Sequence, residues 1–184
     1  MKIESERFIL RTLREADLED FLSCRSDENV ARYQYWEPFT RGQAIEYINK
    51  HKNSKPGVPG EWFQLGIVDK TSGRLIGDCA ILLIYDEPGN AEVGCNVSPS
   101  YQKNKVADEA LRCLFDYAFE NLNVRRISAV ADVENTACIR LLEGLCMKKD
   151  KGSVRSLWFK DKWGCELTYF MLKEDWMALR ERRQ

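Results

Sequence analysis

The chain has 184 residues, of which 44% are hydrophobic, and its 28 Lys plus Arg and 29 Asp plus Glu leave a formal net charge of −1. A nearly neutral chain has no global attraction for nucleic acid or an anionic membrane. The longest apolar run, residues 79–85, is far shorter than the ~20 residues of a membrane helix. Residues 1–6 are polar and acidic, unlike a secretion signal. We therefore expect one globular domain spanning residues 1–184, located in the cytoplasm.

The cysteine and histidine content argues against metal binding. The chain has seven cysteines and one histidine. It has no Cys-x-x-Cys pair, and the number of cysteines is odd, so neither a zinc site nor a disulfide framework is expected. Most of the cysteines are interpreted as small buried residues in a reducing compartment.

The first third of the chain predicts one strand and two helices. Residues 8–13 suit a strand, residues 17–24 suit a helix, and residues 40–51 suit a second helix capped by Thr40. Residues 53–60 contain two prolines and two glycines, which interrupt helices and strands. A loop is therefore predicted there.

The middle of the chain changes to a period of two, which is typical of strands. Residues 62–69 and 74–84 predict two strands, joined by a hairpin turn at 70–73. A further turn at 88–90 leads into a third strand at 91–97. Three antiparallel neighbours are therefore expected.

Helices and strands alternate in the remainder. Apolar residues three and four apart over 106–119 predict an amphipathic helix, and the alternation at 127–133 predicts a strand parallel to the previous one through a crossover. Asn135 suits the cap of another helix, and residues 154–159 and 165–172 suit a last hairpin. A mixed α/β fold follows, with a sheet covered by helices.

The loop between the third of these strands and the long helix is the most informative segment. A loop that brings backbone N–H groups to a helix N-terminus is suited to hold a phosphate. Its middle, residues 102–107, reads QKNKVA and contains no glycine.

Several segments in the correct order resemble the superfamily of GCN5-related N-acetyltransferases (GNAT), and more narrowly its branch of ribosomal-protein N-terminal acetyltransferases. The resemblance covers nearly the whole chain. It is carried by the segments ERFILR (6–11), EVG (92–94), SPSYQ (98–102), ADEAL (107–111) and ENTACIRLLE (134–143).

The resemblance implies acetyl transfer from acetyl-CoA to an amine, either a peptide N-terminus or a small molecule, without a metal. It also implies a single GNAT-fold domain with a mostly antiparallel sheet, helices on both faces and a splayed central strand pair. The pantetheine arm of acetyl-CoA is then expected in the gap near Val97. The pyrophosphate is expected on the loop, and Asn135 is expected to reach the cofactor. The loop residues in question are Gln102, Lys103, Asn104, Lys105, Val106 and Ala107.

The loop departs from the family pattern, because Lys103 and Lys105 stand where glycines are usual and only Gln102 and Ala107 match. A lysine is expected to give up the positive φ of glycine and to crowd the ligand. Its ammonium group would instead pair with phosphates. The alternative is a non-catalytic module of the same fold that serves as a sensor or binds a partner. A nucleotide-binding domain is a third, weaker interpretation, since no Walker loop is present.

Three residues are candidates for proton transfer. Glu92 matches the position of a glutamate in many relatives and is the candidate general base; alternatively it faces solvent or pairs with a lysine. Cys138 and Tyr169 are candidate donors to the departing thiolate, and each is alternatively a packed core residue. The resemblance also implies an oxyanion contact from a backbone N–H near residues 95–97. His51 is interpreted as a surface residue.

The acceptor is not identified by the sequence. Four aromatic residues before the second helix either border the acceptor site, as in relatives, or pack as core: Tyr33, Tyr35, Trp36 and Phe39. Exposed edge strands near the C-terminus leave both a monomer and a homodimer open.

Overall fold

The computed structural model describes residues 2–182. Within them the chain forms one eight-stranded sheet and six α-helices. The strands are β1 (Lys2–Glu4), β2 (Phe8–Arg11), β3 (Trp62–Asp69), β4 (Leu75–Leu83), β5 (Asn90–Val97), β6 (Arg126–Asp132), β7 (Lys148–Phe159) and β8 (Lys162–Leu172). The helices are α1 (Leu18–Arg25), α2 (Glu28–Ala31), α3 (Arg41–His51), α4 (Val106–Asn121), α5 (Thr136–Gly144) and α6 (Lys173–Glu181).

The strands lie side by side in the order β1-β2-β3-β4-β5-β6-β8-β7. Every neighbouring pair is antiparallel except β5 and β6, which run parallel. The crossover between these two strands is α4, as a parallel connection requires. The predicted mixed, mostly antiparallel α/β fold is confirmed.

Helices cover both faces of the sheet. Alternate residues of β3, such as Leu65 and Ile67, lie in the core that packs under α4. Val68 points to the other face and packs with Phe21 of α1 and Ile48 of α3. We call this second face, covered by α1 to α3, the acceptor face, because the family resemblance implies that the acceptor site lies beside these helices.

The predicted helix starts are confirmed by their caps. Thr40 Oγ1 accepts a hydrogen bond from the Gln43 N–H, and Gln43 bonds back to Thr40, forming a capping box before α3. Asn135 Oδ1 accepts from the Cys138 N–H at 3.1 Å and begins α5. Each cap satisfies donors that the helix cannot satisfy itself.

Three short or weakly patterned elements were not predicted: β1, α2 and α6. A strand of three residues and a helix of four are too short for a period to be read. In α6 Trp176 is the buried anchor of a helix that is otherwise largely polar. The interpretation of His51 as a surface residue was wrong, because its ring is buried against Tyr47 with centroids 4.4 Å apart.

A buried ion pair joins α1 to the sheet on the acceptor face. Arg25 donates from Nε to Asp78 Oδ2 at 3.0 Å and from Nη2 to Oδ1 at 2.6 Å. Gln64 and Asn96 also donate to Asp78 Oδ1, at 2.7 and 3.1 Å. The side chains of Arg25 and Asp78 are only 4% and 1% exposed. Four aromatic rings surround the guanidinium group: Phe21, Trp36, Phe39 and Tyr47.

Candidate active site

The two parallel strands β5 and β6 separate in the middle of the sheet. Their pairing is limited to the start of each strand, at Asn90↔Arg126, Ala91↔Ile127 and Glu92↔Ser128. Beyond this point β5 continues to Val97 and β6 to Asp132 while each stays paired with its outer neighbour. A slot therefore opens between them, which is the splayed pair that the resemblance implied.

The edge of β5 that faces the slot carries backbone groups that do not pair with β6. The Ser98 N–H, just after β5, donates to the Ile76 carbonyl of β4 at 2.9 Å. Because peptide groups alternate in direction along a strand, those of Cys95 and Val97 point the other way, toward β6. They lie beyond the last β5–β6 pair. An amide-bearing ligand in the slot would satisfy them.

One of these groups already has a protein partner. Gln102 Nε2 donates to the Val97 carbonyl at 3.0 Å. The predicted cofactor contact at Val97 is therefore limited to its N–H. Gln102 therefore lies beside the C-terminal end of β5 and occupies the last carbonyl group of the edge that faces the slot.

The glycine-free loop adopts the backbone conformation that glycines would provide. Lys103 has φ 62° and Lys105 has φ 58°, both left-handed. The expectation that lysines give up the positive φ was therefore wrong. The conformation costs roughly 1–2 kcal/mol per non-glycine residue, so the surrounding structure must hold it.

The loop ends at a helix start with free donors. Lys105 is the N-cap of α4 and makes no side-chain capping bond. The N–H groups of Val106, Ala107 and Asp108 therefore have no cap from Lys105 or from within the helix. Lys103, Asn104 and Lys105 are exposed around them. Free donors and ammonium groups together suit an anion such as a diphosphate.

The two carboxylates in the first turn of α4 are neutralised by arginines. Asp108 accepts from Arg112 Nε at 2.8 Å, and Glu109 accepts from Arg7 Nε at 2.7 Å. Paired carboxylates repel an anion at the helix start less than free ones would.

Glu92 lies on the acceptor face where β5 and β6 separate, opposite Ser128 in the last pair. Its side chain is half-buried, and it forms no ion pair with any side chain that the structure describes. Burial raises the pKa of the Glu92 carboxyl, and the nearby Glu166 charge raises it further. A half-buried carboxylate with a raised pKa at the apex of the slot is suited to accept a proton.

Cys138 and Tyr169 lie on the opposite face of the sheet, with α5. Cys138 packs against the core, and burial raises the pKa of its thiol to about 11. Tyr169 is 3% exposed, and its hydroxyl donates to Glu143 Oε1 at 3.3 Å. The structure thus separates the three candidates, with Glu92 on the acceptor side and the other two on the α5 side.

The aromatic segment before α3 is packed as core in one part and exposed in another. Trp36 and Phe39 pack around the buried Arg25, whereas the exposed Tyr35 donates its hydroxyl hydrogen bond to Glu166 of β8. This link was not predicted, because Tyr35 and Glu166 are 131 residues apart in the sequence.

The turn of the β7–β8 hairpin is hydrogen-bonded to the segment before α3, residues 31–36. Lys160 Nζ donates to the carbonyls of Ala31 and Trp36 at 2.9 and 3.0 Å, and the Tyr35 and Phe159 rings meet edge to face at 5.2 Å. The segment and the hairpin together border the acceptor face near Glu92.

A mostly antiparallel sheet with one splayed parallel pair, followed by an uncapped helix start, is the arrangement expected of a GNAT fold. A family model described as "Acetyltransferase (GNAT) domain" matches residues 7–148. The uncharacterised N-acetyltransferase p20 of Bacillus licheniformis is 32% identical over 147 residues, covering 79% of this chain and 82% of p20. The chain belongs to the GNAT family and is an N-acetyltransferase.

Solved structures agree with this fold. A GNAT-family acetyltransferase from Bacillus anthracis superposes with a TM-score of 0.83 at 24% identity, covering 95% of this chain and 99% of that one. Spermidine N-acetyltransferase from Vibrio cholerae, in complex with CoA and spermine, gives a TM-score of 0.79 at 21% identity, covering 94% and 99%. Within residues 2–182, no helix combines the length and apolar character needed to cross a bilayer.

Proposed function

We propose that this enzyme transfers the acetyl group of acetyl-CoA to a primary amine, on a peptide N-terminus or a small molecule, and that residues 1–184 form one domain. The observation that carries the proposal is the slot between β5 and β6, in which the Cys95 backbone groups and the Val97 N–H lead to the N-terminus of α4. An amide-bearing arm followed by a diphosphate matches this order of backbone donors and anion site.

The loop and the cap of α5 supply the remaining cofactor contacts. The pyrophosphate lies against the free N–H groups of Val106 and Ala107, with the Lys103 and Lys105 ammonium groups beside it. Asn135 uses its Oδ1 to cap α5, so its side-chain NH₂ group is available to the pantetheine arm.

In the reaction the amine nitrogen attacks the thioester carbonyl, a C–N bond forms and the C–S bond breaks. Glu92 takes the proton of the amine, directly or through a water molecule. A backbone N–H of Cys95 or Val97 stabilises the oxyanion. The carboxylates of Glu92 and Glu166 lie beside the acceptor, so they favour the binding of a cationic amine over that of an acceptor with negative charge. The small-amine alternative is supported by the spermine bound to the V. cholerae enzyme.

The departing thiolate meets Cys138 as a hydrogen-bond donor. Burial raises the pKa of Cys138 to about 11, above the ~8.5 of an ordinary thiol, so a hydrogen bond to the thiolate is favoured over full proton transfer. Replacing Cys138 by alanine is expected to lower kcat about tenfold, whereas Cys138→Ser, which keeps a donor, stays within about threefold of wild type.

Steady-state release of the CoA thiol measures kcat for these variants. The control is Cys113→Ala on α4, which also removes a half-buried thiol. Equal turnover of Cys138→Ala and wild type would show that the residue is only packed core.

Thermal unfolding with acetyl-CoA, CoA and ATP tests the proposed function itself. Acetyl-CoA at about 100 times its Kd is expected to stabilise the fold by roughly 2.7 kcal/mol, with a smaller effect of ATP. Thiol release with a panel of amines and peptides then reports turnover. Stabilisation without turnover of any amine would favour the non-catalytic module, and no stabilisation would contradict cofactor binding.

A further inference from the structure

Arg7, at the start of the family match, contacts the glycine-free loop, which lies 97 residues further along the chain. Its Nη1 and Nη2 both donate to the Asn104 carbonyl at 3.1 Å. Its Nε donates to Glu109 Oε2 at 2.7 Å, and its backbone N–H donates to Glu109 Oε1 at 2.8 Å. The guanidinium group also lies over the Phe8 ring, 4.6 Å from the centroid. Arg7 is therefore held at several points.

The bond to Asn104 fixes the direction of one peptide group. The carbonyl of Asn104 and the N–H of Lys105 belong to the same planar unit and point in opposite directions. Since Arg7 holds the carbonyl on its own side, the Lys105 N–H points away from Arg7. Backbone N–H groups presented in this way form an anion-binding concavity.

The same peptide lies between the two strained lysines. Lys103 and Lys105 both have positive φ, a conformation that non-glycine residues keep only when their surroundings hold it. Arg7 bonds to the residue between them and to the first turn of α4. Arg7 therefore connects the loop to the first turn of α4.

We propose that Arg7 is a positioning residue that keeps the glycine-free loop in its phosphate-binding conformation. The inference rests on the proposed function, because it assigns the loop to the pyrophosphate of acetyl-CoA. Arg7 acts through the loop, since its donors are already used by Asn104 and Glu109. The fixed guanidinium contact replaces the conformational freedom that glycines give elsewhere in the family.

The first test compares two ligands. Arg7→Ala is expected to raise the Kd of acetyl-CoA about tenfold and to leave the Kd of S-acetylpantetheine, which lacks the pyrophosphate, unchanged within about twofold. The kcat at saturating acetyl-CoA stays near wild type. Arg41→Ala, which removes an exposed arginine paired with Glu19 on the acceptor face, is the matched control. Arg7→Lys is a second variant, which keeps the positive charge. Its ammonium group lacks the planar fork with which arginine holds Asn104 and Glu109 together, so the same loss is expected.

The second test separates strain from charge. In the Arg7→Ala background, Lys105→Gly and Lys105→Ala both remove an ammonium group, but only glycine adopts positive φ freely. The glycine double variant is expected to bind acetyl-CoA about tenfold more tightly than the alanine one.

Three results would overturn the inference: an unchanged acetyl-CoA Kd in the Arg7 variants, an equal loss for both ligands, or equal binding by the two double variants. Wild type that fails to bind acetyl-CoA would instead contradict the proposed function. Wild type that binds while Arg7 variants bind equally well would contradict only the role of Arg7.

Discussion

Replacing Glu92 by glutamine is expected to lower kcat about 100-fold or more, the usual contribution of a general base. Glutamine keeps the shape of the side chain and removes only its ability to take a proton. Glu92 lies on the acceptor face, across the sheet from α5. The stabilisation by acetyl-CoA should therefore remain. Thiol release with a reactive amine and thermal unfolding with acetyl-CoA measure the two effects separately.

The pH dependence gives an independent check of the same residue. Burial and the Glu166 charge raise the Glu92 pKa, and only the ionised base is active. Activity is therefore lost as the pH falls through this raised pKa. Removing the like charge by Glu166→Gln lowers the Glu92 pKa, so the acid limb of kcat/KM should move to lower pH. Full turnover by Glu92→Gln would exclude Glu92 as the base, and an unmoved limb in Glu166→Gln would show that the Glu166 charge does not act on the titrating group.

Replacing Asp78 by alanine is expected to destabilise the fold by about 3–5 kcal/mol, because it leaves a buried arginine without its counter-charge. Asp78 accepts hydrogen bonds from α1, β3 and β5, so its loss also frees donors of Arg25, Gln64 and Asn96. Aromatic contacts to Arg25 offset only part of this cost. Urea unfolding followed by circular dichroism gives the free energy of unfolding.

The matched control removes an exposed carboxylate. Glu19→Ala breaks the ion pair with Arg41, whose side chains are 70% and 58% exposed, and its unfolding midpoint should stay close to wild type. If Asp78→Ala unfolded at the same urea concentration as Glu19→Ala, the buried pair would not be a principal tie between α1 and the sheet.

Local patterns were sufficient for most of the fold. The caps at Thr40 and Asn135, the long apolar face of α4 and the hairpin turns lie within a few residues of the elements that they define. The elements that were missed are too short or too polar to show a period. The end of the β5–β6 pairing depends on residues about 36 positions apart along the chain, Glu92 and Ser128. Only the family resemblance implied it.

The site was predicted less completely, because its geometry depends on contacts between distant segments. Lys103 and Lys105 were expected to lose the glycine conformation, and the sequence gives no sign that Arg7 contacts Asn104 from 97 residues away. Glu92 was chosen by resemblance, but its environment depends on Glu166 of β8. The conformational propensity of a residue depends on that residue alone, whereas the loop conformation and the environment of Glu92 depend on contacts with residues far away in the sequence.

Amide hydrogen exchange by ¹⁵N NMR tests the slot most directly. Adding acetyl-CoA should slow exchange at the Cys95 and Val97 amides and at 105–107, where the ligand supplies new acceptors, and leave the outer strand β7 unchanged. Exchange at Cys95 and Val97 that is unaffected by saturating acetyl-CoA would contradict the placement of the cofactor between β5 and β6.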